Sequence, residues 1–275
     1  RCGKYIVSTS DKESEKLNRV YENGMACGVD DLTYDDSLKS KYPFLRYNES
    51  IFSPSTGIFD SHSFIHSLSR DFQSSGGNIL LGNETLDVVQ SDKGFEVLVK
   101  DKNSNNQFLV ISKVLVNSAG LNAVHLANLI DEGNPYEEEY VKGEYYTYNG
   151  KEKLNSLIYP TPTENSLGLH ATIDLGKGIR FGPSAFIVDE IDYSISEDQK
   201  VNFVGSVQTY WPGIKAEDLT PGYSGIRPKL KGIQDFVVDS GGVSNSQYVN
   251  VLGYASPGLT SSLALAIEVS NRLDI

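Results

Sequence analysis

The sequence predicts a mixed α/β protein of two lobes, in which a binding lobe is interrupted by an antiparallel one. Length is the first observation, since 275 residues are long for one core and short for two full domains. The second is the alternation of short β patterns with amphipathic helices up to about residue 135 and again after about residue 215. The third is the stretch from Tyr140 to Val188, where β segments follow one another with only turns between them, as in an antiparallel sheet.

Taken in order, RCGKYIVSTS reads as a strand entered from upstream, with neither signal nor transit peptide. Leu17, Val20, Tyr21 and Met25 then stand at helical spacing behind acidic residues, and Gly28 ends that helix. A second helix carries Phe64, Ile65, Leu68 and Phe72, with Asp60 as N-cap and Gly76-Gly77 as stop. Its His62 and His66 share a face, but no HExxH frame or third ligand accompanies them, so they read as solvated and no metal site is expected. NILLG, TLDVVQ, FEVLVK and FLVISKVLVNSAG follow as β patterns separated by SDKG and DKNSNNQ, the last feeding a helix at NAVHLANLI. YVKGEYYTY, SLIYPTP, SLGLHATIDL and GIRFGPSAFIV make the antiparallel lobe. SEDQKVNFVGSVQTYWPG is a helix capped at Ser196, and GYSGIRPKL, DFVVDS and YVNVLGY lead to a last helix from Pro257 to about Leu273.

Composition narrows the partners. Acidic residues outnumber basic ones 36 to 24, giving a net charge of −12 with the cations scattered, which argues against nucleic acid. No apolar run approaches the roughly 18 residues of a membrane-spanning helix, so a soluble protein is expected. Cys2 and Cys27 read as free thiols, and the sequons at Asn48 and Asn83 as surface polar residues.

Three segments space glycine and proline for backbone approach to a ligand. VLVNSAGLNA is a strand that ends in small residues and opens a helix, as where α/β sheets receive nucleotides, although an ordinary strand-to-helix turn has the same pattern. In GYSGIRPKL, Arg227 is held between Gly225 and Pro228, and its planar fork suits a carboxylate; a surface turn arginine is the plainer reading. NVLGYASPGLTSSLALA opens a helix with Gly258, Thr260, Ser261 and Ser262 in its first turn, leaving amides for something anionic.

Together these segments resemble the FAD-dependent oxidoreductase family of the D-amino-acid oxidase type, in its L-2-hydroxyglutarate dehydrogenase branch. CGKYIVSTS, FSPSTGIFD, FQSSGGNILLGNE, VLVNSAGL, VKGEYYTY, IYPTP, LGLHATIDLG, RFGPSA, YWPG, GYSGIRPK, DFVV and ASPGLTSSLALA look like that branch's motifs in its order, across almost the whole chain. The resemblance implies a Rossmann-like FAD lobe built from discontinuous segments, here 59–135 and 216–275, and an antiparallel-sheet substrate lobe, here 1–58 and 136–215. It implies FAD as cofactor, with Val88 and Val89 near the adenosine, Ser118, Ala119 and Gly120 near the phosphates, and Gly253, Gly258, Leu259 and Thr260 framing the flavin. One departure stands out: the family's GxGxxG fingerprint is absent from the chain, so a βαβ unit ahead of Arg1 is expected to be required, and the polypeptide without it to bind FAD poorly.

The activity implied is oxidation of a small 2-hydroxy acid, best L-2-hydroxyglutarate to 2-oxoglutarate, with an unidentified electron acceptor and an intracellular location, mitochondrial in a eukaryote. Such a reaction needs a carboxylate anchor and a base for the hydroxyl proton. Arg227 is the expected anchor and His170, in LGLHAT, the expected base, against the plainer reading of a histidine held by the sheet. Tyr145 and Tyr146 are expected to orient the substrate, and Lys229 to meet a distal carboxylate. An amino-acid or sarcosine-like amine oxidase of the same fold, and a noncatalytic remnant, are the alternatives.

Overall fold

The computed structural model describes residues 1–91, 93–162, 168–242 and 246–273; Asp92 of the SDKG turn and Ser166 and Leu167 of SLGLHATIDL lie outside the described residues. In chain order the elements are β1 (Lys4–Val7), α1 (Asp11–Ala26), β2 (Thr33–Tyr34), α2 (Leu38–Lys41), β3 (Ser50–Ser53), α3 (Ser61–Ser74), β4 (Asn83–Ser91), β5 (Gly94–Asp101), β6 (Gln107–Ser112), β7 (Val114–Asn117) and α4 (Ala123–Ile130). They continue as β8 (Glu138–Tyr148), β9 (Leu157–Pro160), β10 (His170–Ile173), β11 (Ile179–Gly182), β12 (Phe186–Val188), α5 (Lys200–Gln208), β13 (Leu219–Leu230), β14 (Val237–Gly241), β15 (Gln247–Leu252) and α6 (Gly258–Asn271). Two compact units result: Arg1–Asp60, Lys142–Phe186 and Asp192–Gly225 form the first, and Ser61–Val141, Ile187–Ile191 and Ile226–Ile275 the second.

The first unit is organised by a sheet of order β12-β8-β11-β10-β9-β1-β3-β2, with β13 joining β8 off this path. The sheet is mixed. β1 and β9 run parallel, whereas β1–β3, β9–β10, β10–β11 and β8–β11 are antiparallel. A parallel pair needs a crossover rather than a hairpin, and here the crossover is everything between Val7 and Leu157, out of reach of a local pattern. One face of the sheet carries the core, which includes Tyr5, Tyr146, Ile158, Phe181, Phe203 and Trp211. Helix α1 starts on Ser10, whose hydroxyl accepts the Glu13 amide, while the Glu13 carboxylate accepts the Thr9 amide at 2.6 Å. Leu17 is the buried member of its stripe and Met25 is exposed. The helix expected from Ser196 begins as a 3₁₀ turn at Glu197–Gln199 before α5, with Ser196 Oγ accepting the Asp198 amide.

The second unit holds two three-stranded sheets, β14-β15-β7 and β4-β5-β6. The apolar run FLVISKVLVNSAG therefore does not form one strand: it divides at Lys113 into β6, which hairpins with β5, and β7, which runs parallel to β15. Val124, Ala127 and Ile130 of α4 are buried. Ile65, Leu68 and Phe72 of α3 are exposed, as are His62 and His66. Among the described residues no group of three or more His, Cys, Asp or Glu could hold a metal, no helix is long and apolar enough to cross a membrane, and Cys2 and Cys27 are free.

Strand β8 also buries a charge cluster. Lys142 lies 3.8 Å from Glu144 and 3.1 Å from Asp192, with Lys142 and Glu144 both almost fully buried. Hydrogen bonds from the Ser194 hydroxyl and amide, then Lys142, hold the exposed Asp192 carboxyl at about 2. A carboxyl depressed in the folded state stabilises above its ordinary value and stops doing so as the pH falls through the folded one. Asp192→Asn is therefore expected to weaken the acid limb of stability between about pH 4 and pH 2, read by urea unfolding across that range. Lys142→Met leaves the Glu144 carboxylate buried without a cation and is expected to cost about 3 kcal/mol or more, whereas Lys142→Met combined with Glu144→Leu recovers most of the loss.

Candidate functional site

In the first unit, pairing register decides which side chains leave the core. Ile158 stands opposite Ala171, and Phe181 opposite Tyr146, and all four are buried. Side chains alternate with a period of two, so the neighbours Tyr159, His170, Gly182 and Tyr145 form a second row on the opposite face. Ile6 faces Tyr159 across the parallel pair and His170 faces Gly182, which extends the row across five strands. Lys4, two residues before Ile6, stands on the same face.

The row is tightly stacked. The His170 imidazole lies flat on the Tyr159 ring, with centroids 3.6 Å apart and planes 6° apart. Lys4 Nζ is 5.3 Å from the same Tyr159 centroid. Tyr145 stacks on Tyr223 at 4.6 Å and 13°, and the Arg180 guanidinium sits 5.4 Å from the Tyr223 centroid while pairing with Asp174 at 3.0 Å. Gly182, at φ +147°, makes the row possible: a Cβ there would fall 2.6 Å from the Tyr145 ring and 2.7 Å from the Glu144 carbonyl oxygen. Burial pushes the Tyr159 phenol up and the Lys4 ammonium down. Tyr210, buried and pushed well up by that burial, donates to the Leu169 carbonyl at 2.8 Å and so fixes the residue that introduces His170.

Of the two tyrosines in KGEYY, Tyr145 belongs to this row and Tyr146 to the core, where its hydroxyl donates to the Ser196 carbonyl at 2.6 Å. Loss of solvent, followed by the nearby Glu144, Glu197 and Asp198 charges, raises the Tyr146 phenol. Arg227 and Lys229 stand two residues apart on β13 in the second unit, both half-buried, and among the described residues neither has an ion pair.

The second unit builds a different kind of site. Ser118 and Gly120 line an open, largely apolar groove of about 390 Å³, completed by Val116, Val251, Tyr254 and α6 residues such as Leu265. Gly120 has φ +60° and nothing within 4 Å of an added Cβ, so the turn after β7 leaves room for a ligand against its backbone. Buried Asn117 holds that turn: its amide nitrogen donates to the Ala123 and Asn250 oxygens at 2.7 and 2.9 Å, and its oxygen accepts the Ala119 amide at 3.2 Å. Gly253, at φ +64°, packs against Leu230, which a Cβ would approach to 2.7 Å. At the start of α6 the Gly258 amide donates to the Ala255 carbonyl at 2.6 Å, and the Thr260, Ser261 and Ser262 hydroxyls turn back onto carbonyls of their own helix turn. Leu259 and Thr260 are exposed there. Val88 is buried on β4 and Val89 points outward, both in the β4-β5-β6 sheet rather than among the groove residues.

This glycine turn is stapled at the carboxyl end of a parallel strand beside an open apolar groove, the kind of place where α/β sheets receive ligands. A family model described as FAD dependent oxidoreductase matches residues 1–272. The chain belongs to this family. It is 32% identical over 321 residues to a mitochondrial L-2-hydroxyglutarate dehydrogenase of Arabidopsis thaliana, covering 99% of this chain and 66% of that protein. It is 23% identical over 316 residues to the L-2-hydroxyglutarate dehydrogenase of Escherichia coli strain K12, covering 99% and 73%. The chain thus spans about two thirds of the length of the curated relatives it matches. Among solved structures it is similar to an FAD-bound, dithionite-reduced L-alpha-glycerophosphate oxidase from Mycoplasma pneumoniae, with a TM-score of 0.84 at 21% identity over 99% of this chain and 73% of that one. It also shares the fold of a glycine oxidase from Geobacillus kaustophilus, with a TM-score of 0.75 at 17% identity over 98% and 71%.

The residues present fit part of the flavin dinucleotide of this family. The groove and the Gly120 turn accept an apolar or flat group against the backbone, while the glycine-rich phosphate turn has no counterpart in the sequence. Asn117, Lys4, Tyr159 and Arg180 are the site residues that sequence reasoning did not single out. For Asn117 the signal is a polar residue at the end of an apolar strand; the other three emerge only from strand pairing. Gly182→Ala tests the row directly: overpacking against Tyr145 is expected to cost about 1–3 kcal/mol in urea unfolding and to change the near-ultraviolet circular dichroism of the stacked tyrosines.

Proposed function

We propose that the protein oxidises L-2-hydroxyglutarate to 2-oxoglutarate with FAD, passing the electrons to a further acceptor. The observation that carries the reading is His170, an imidazole presented on the non-core face of the sheet and held flat by Tyr159, in a chain similar over almost its whole length to L-2-hydroxyglutarate dehydrogenases. His170 takes the proton from the C2 hydroxyl, Arg227 holds the C1 carboxylate in its planar fork, and Tyr145 orients the substrate. FAD, when bound, supplies the hydride acceptor. Ser118, Ala119, Gly120, Gly253, Gly258, Leu259 and Thr260 would hold it in the second unit, with Val88 and Val89 toward the adenosine. Where the source is eukaryotic, a mitochondrial location accords with the names of the plant and human relatives.

Two variants separate the roles. His170→Ala is expected to slow anaerobic flavin reduction by L-2-hydroxyglutarate about 100-fold or more while carboxylate inhibitors still bind. Arg227→Lys keeps the charge but loses the two-pronged geometry, so substrate affinity should fall while the flavin stays bound. Reduction of the wild-type flavin by sarcosine or glycine, with every 2-hydroxy acid inert, would overturn the reading in favour of amine oxidation.

A further inference from the structure

We propose that Lys4 selects a dicarboxylate, pairing its ammonium with the substrate's distal carboxylate; the assignment rests on the His170 row being the substrate face. Lys4 and His170 reach Tyr159 from β1 and β10, the two strands that flank β9, with Lys4 Nζ 5.3 Å and the imidazole centroid 3.6 Å from the centre of the same ring, so ammonium and imidazole lie no farther apart than those two distances together. A five-carbon 2-hydroxy diacid, hydrogen-bonded at its hydroxyl and at its far carboxylate, spans an interval within that bound. With the C2 hydroxyl at His170, the C5 carboxylate has Lys4 within reach.

Charge accounting singles out Lys4 on this face. Arg180, the other cation of the row, is already paired with Asp174 at 3.0 Å. Lys4 is half-buried, and among the described residues no carboxylate lies within 4.0 Å of it. Burial lowers its affinity for the proton, the direction expected of a cation that has given up water without gaining a counter-ion. An incoming carboxylate restores what was lost, and does so more strongly than at a fully solvated lysine. A monocarboxylic 2-hydroxy acid has nothing to offer that ammonium. Discrimination therefore follows from leaving Lys4 unpaired as much as from pairing it.

The test compares glutarate and butyrate, neither of which carries a hydroxyl to oxidise, by isothermal titration into the full-length FAD-loaded protein, alongside steady-state oxidation of L-2-hydroxyglutarate and L-2-hydroxybutyrate. Wild type is expected to prefer glutarate by about tenfold or more, the size of one charge-assisted bond. Lys4→Met should bring that ratio close to one by weakening glutarate alone, and should raise KM for L-2-hydroxyglutarate with little change in kcat. Lys4→Arg should keep most of the preference, and Lys4→Gln replaces Lys4→Met if the latter does not fold. The proposal is overturned by a wild type without preference, by a neutral variant that keeps it or weakens both acids equally, or by Lys229→Met abolishing it while Lys4→Met does not. If wild-type flavin stays oxidised with L-2-hydroxyglutarate, the activity proposed above fails, and the glutarate ratio still decides the role of Lys4.

Discussion

Aromatic packing around Trp211 closes one face of the first unit's sheet, and the direction of every chemically active side chain there follows from it. The Trp211 ring lies 4.5 Å from Phe44, 5.2 Å from Tyr148 and 5.5 Å from Phe181, while Phe203 packs on Tyr146 at 4.6 Å. Each buried aromatic removes a large apolar area from water, at roughly 25 cal/mol per Å². A one-residue slip of β11 or β10 would turn Phe181 or Ala171 out of that cluster and swing Arg180 or His170 into it. Register is thus held by the hydrophobic side, and the polar row is displayed by consequence.

The same logic explains how charges are tolerated so close to the core. Lys142 and Glu144 share the core side of β8 and survive burial because each has an opposite charge nearby, with Asp192 completing the set from the surface. In the second unit the equivalent service is done without charge. Asn117 spends both ends of its amide on the turn that carries Ser118, Ala119 and Gly120, so a backbone poised for ligand approach is rigid although its glycine is permissive.

Local patterns revealed what local physics controls. The amphipathic stretch at Leu17, the Ser196 cap and the strand-turn-helix at Asn117 to Ala123 are all legible because the signals that set them lie within a few residues. Pairing between distant strands is not. Nothing near Lys4 announces that β1 will lie parallel to β9 and bring it to Tyr159, and nothing in KGEYY says which tyrosine faces the core, since alternation gives the period but not its phase. The apolar run through Lys113 misled for a related reason: hydrophobicity alone does not distinguish one long buried strand from two strands belonging to separate sheets. The small hydroxyls after Pro257 look outward on paper, yet a serine or threonine in a first helical turn finds a carbonyl of its own turn at no cost in chain entropy.

A net charge of −12 at first sight disfavours the doubly negative acid proposed above as substrate. Distance resolves this. At physiological ionic strength charges more than about 8 Å apart are largely screened when they face solvent, so the scattered surface carboxylates contribute little at any one point. A half-buried cation is screened much less, and what it gains from a nearby anion is correspondingly larger. The acid excess then governs solubility and long-range encounter, while binding is decided by the few cations withdrawn from water. Arg180 is neutralised by Asp174, Lys142 by Glu144 and Asp192, and Lys4, Arg227 and Lys229 are among the half-buried cations that remain without an ion pair among the described residues. A desolvated cation left without a counter-ion, as Lys4 is, weakens the folded state on its own, a cost carried by residues that serve a site rather than the fold.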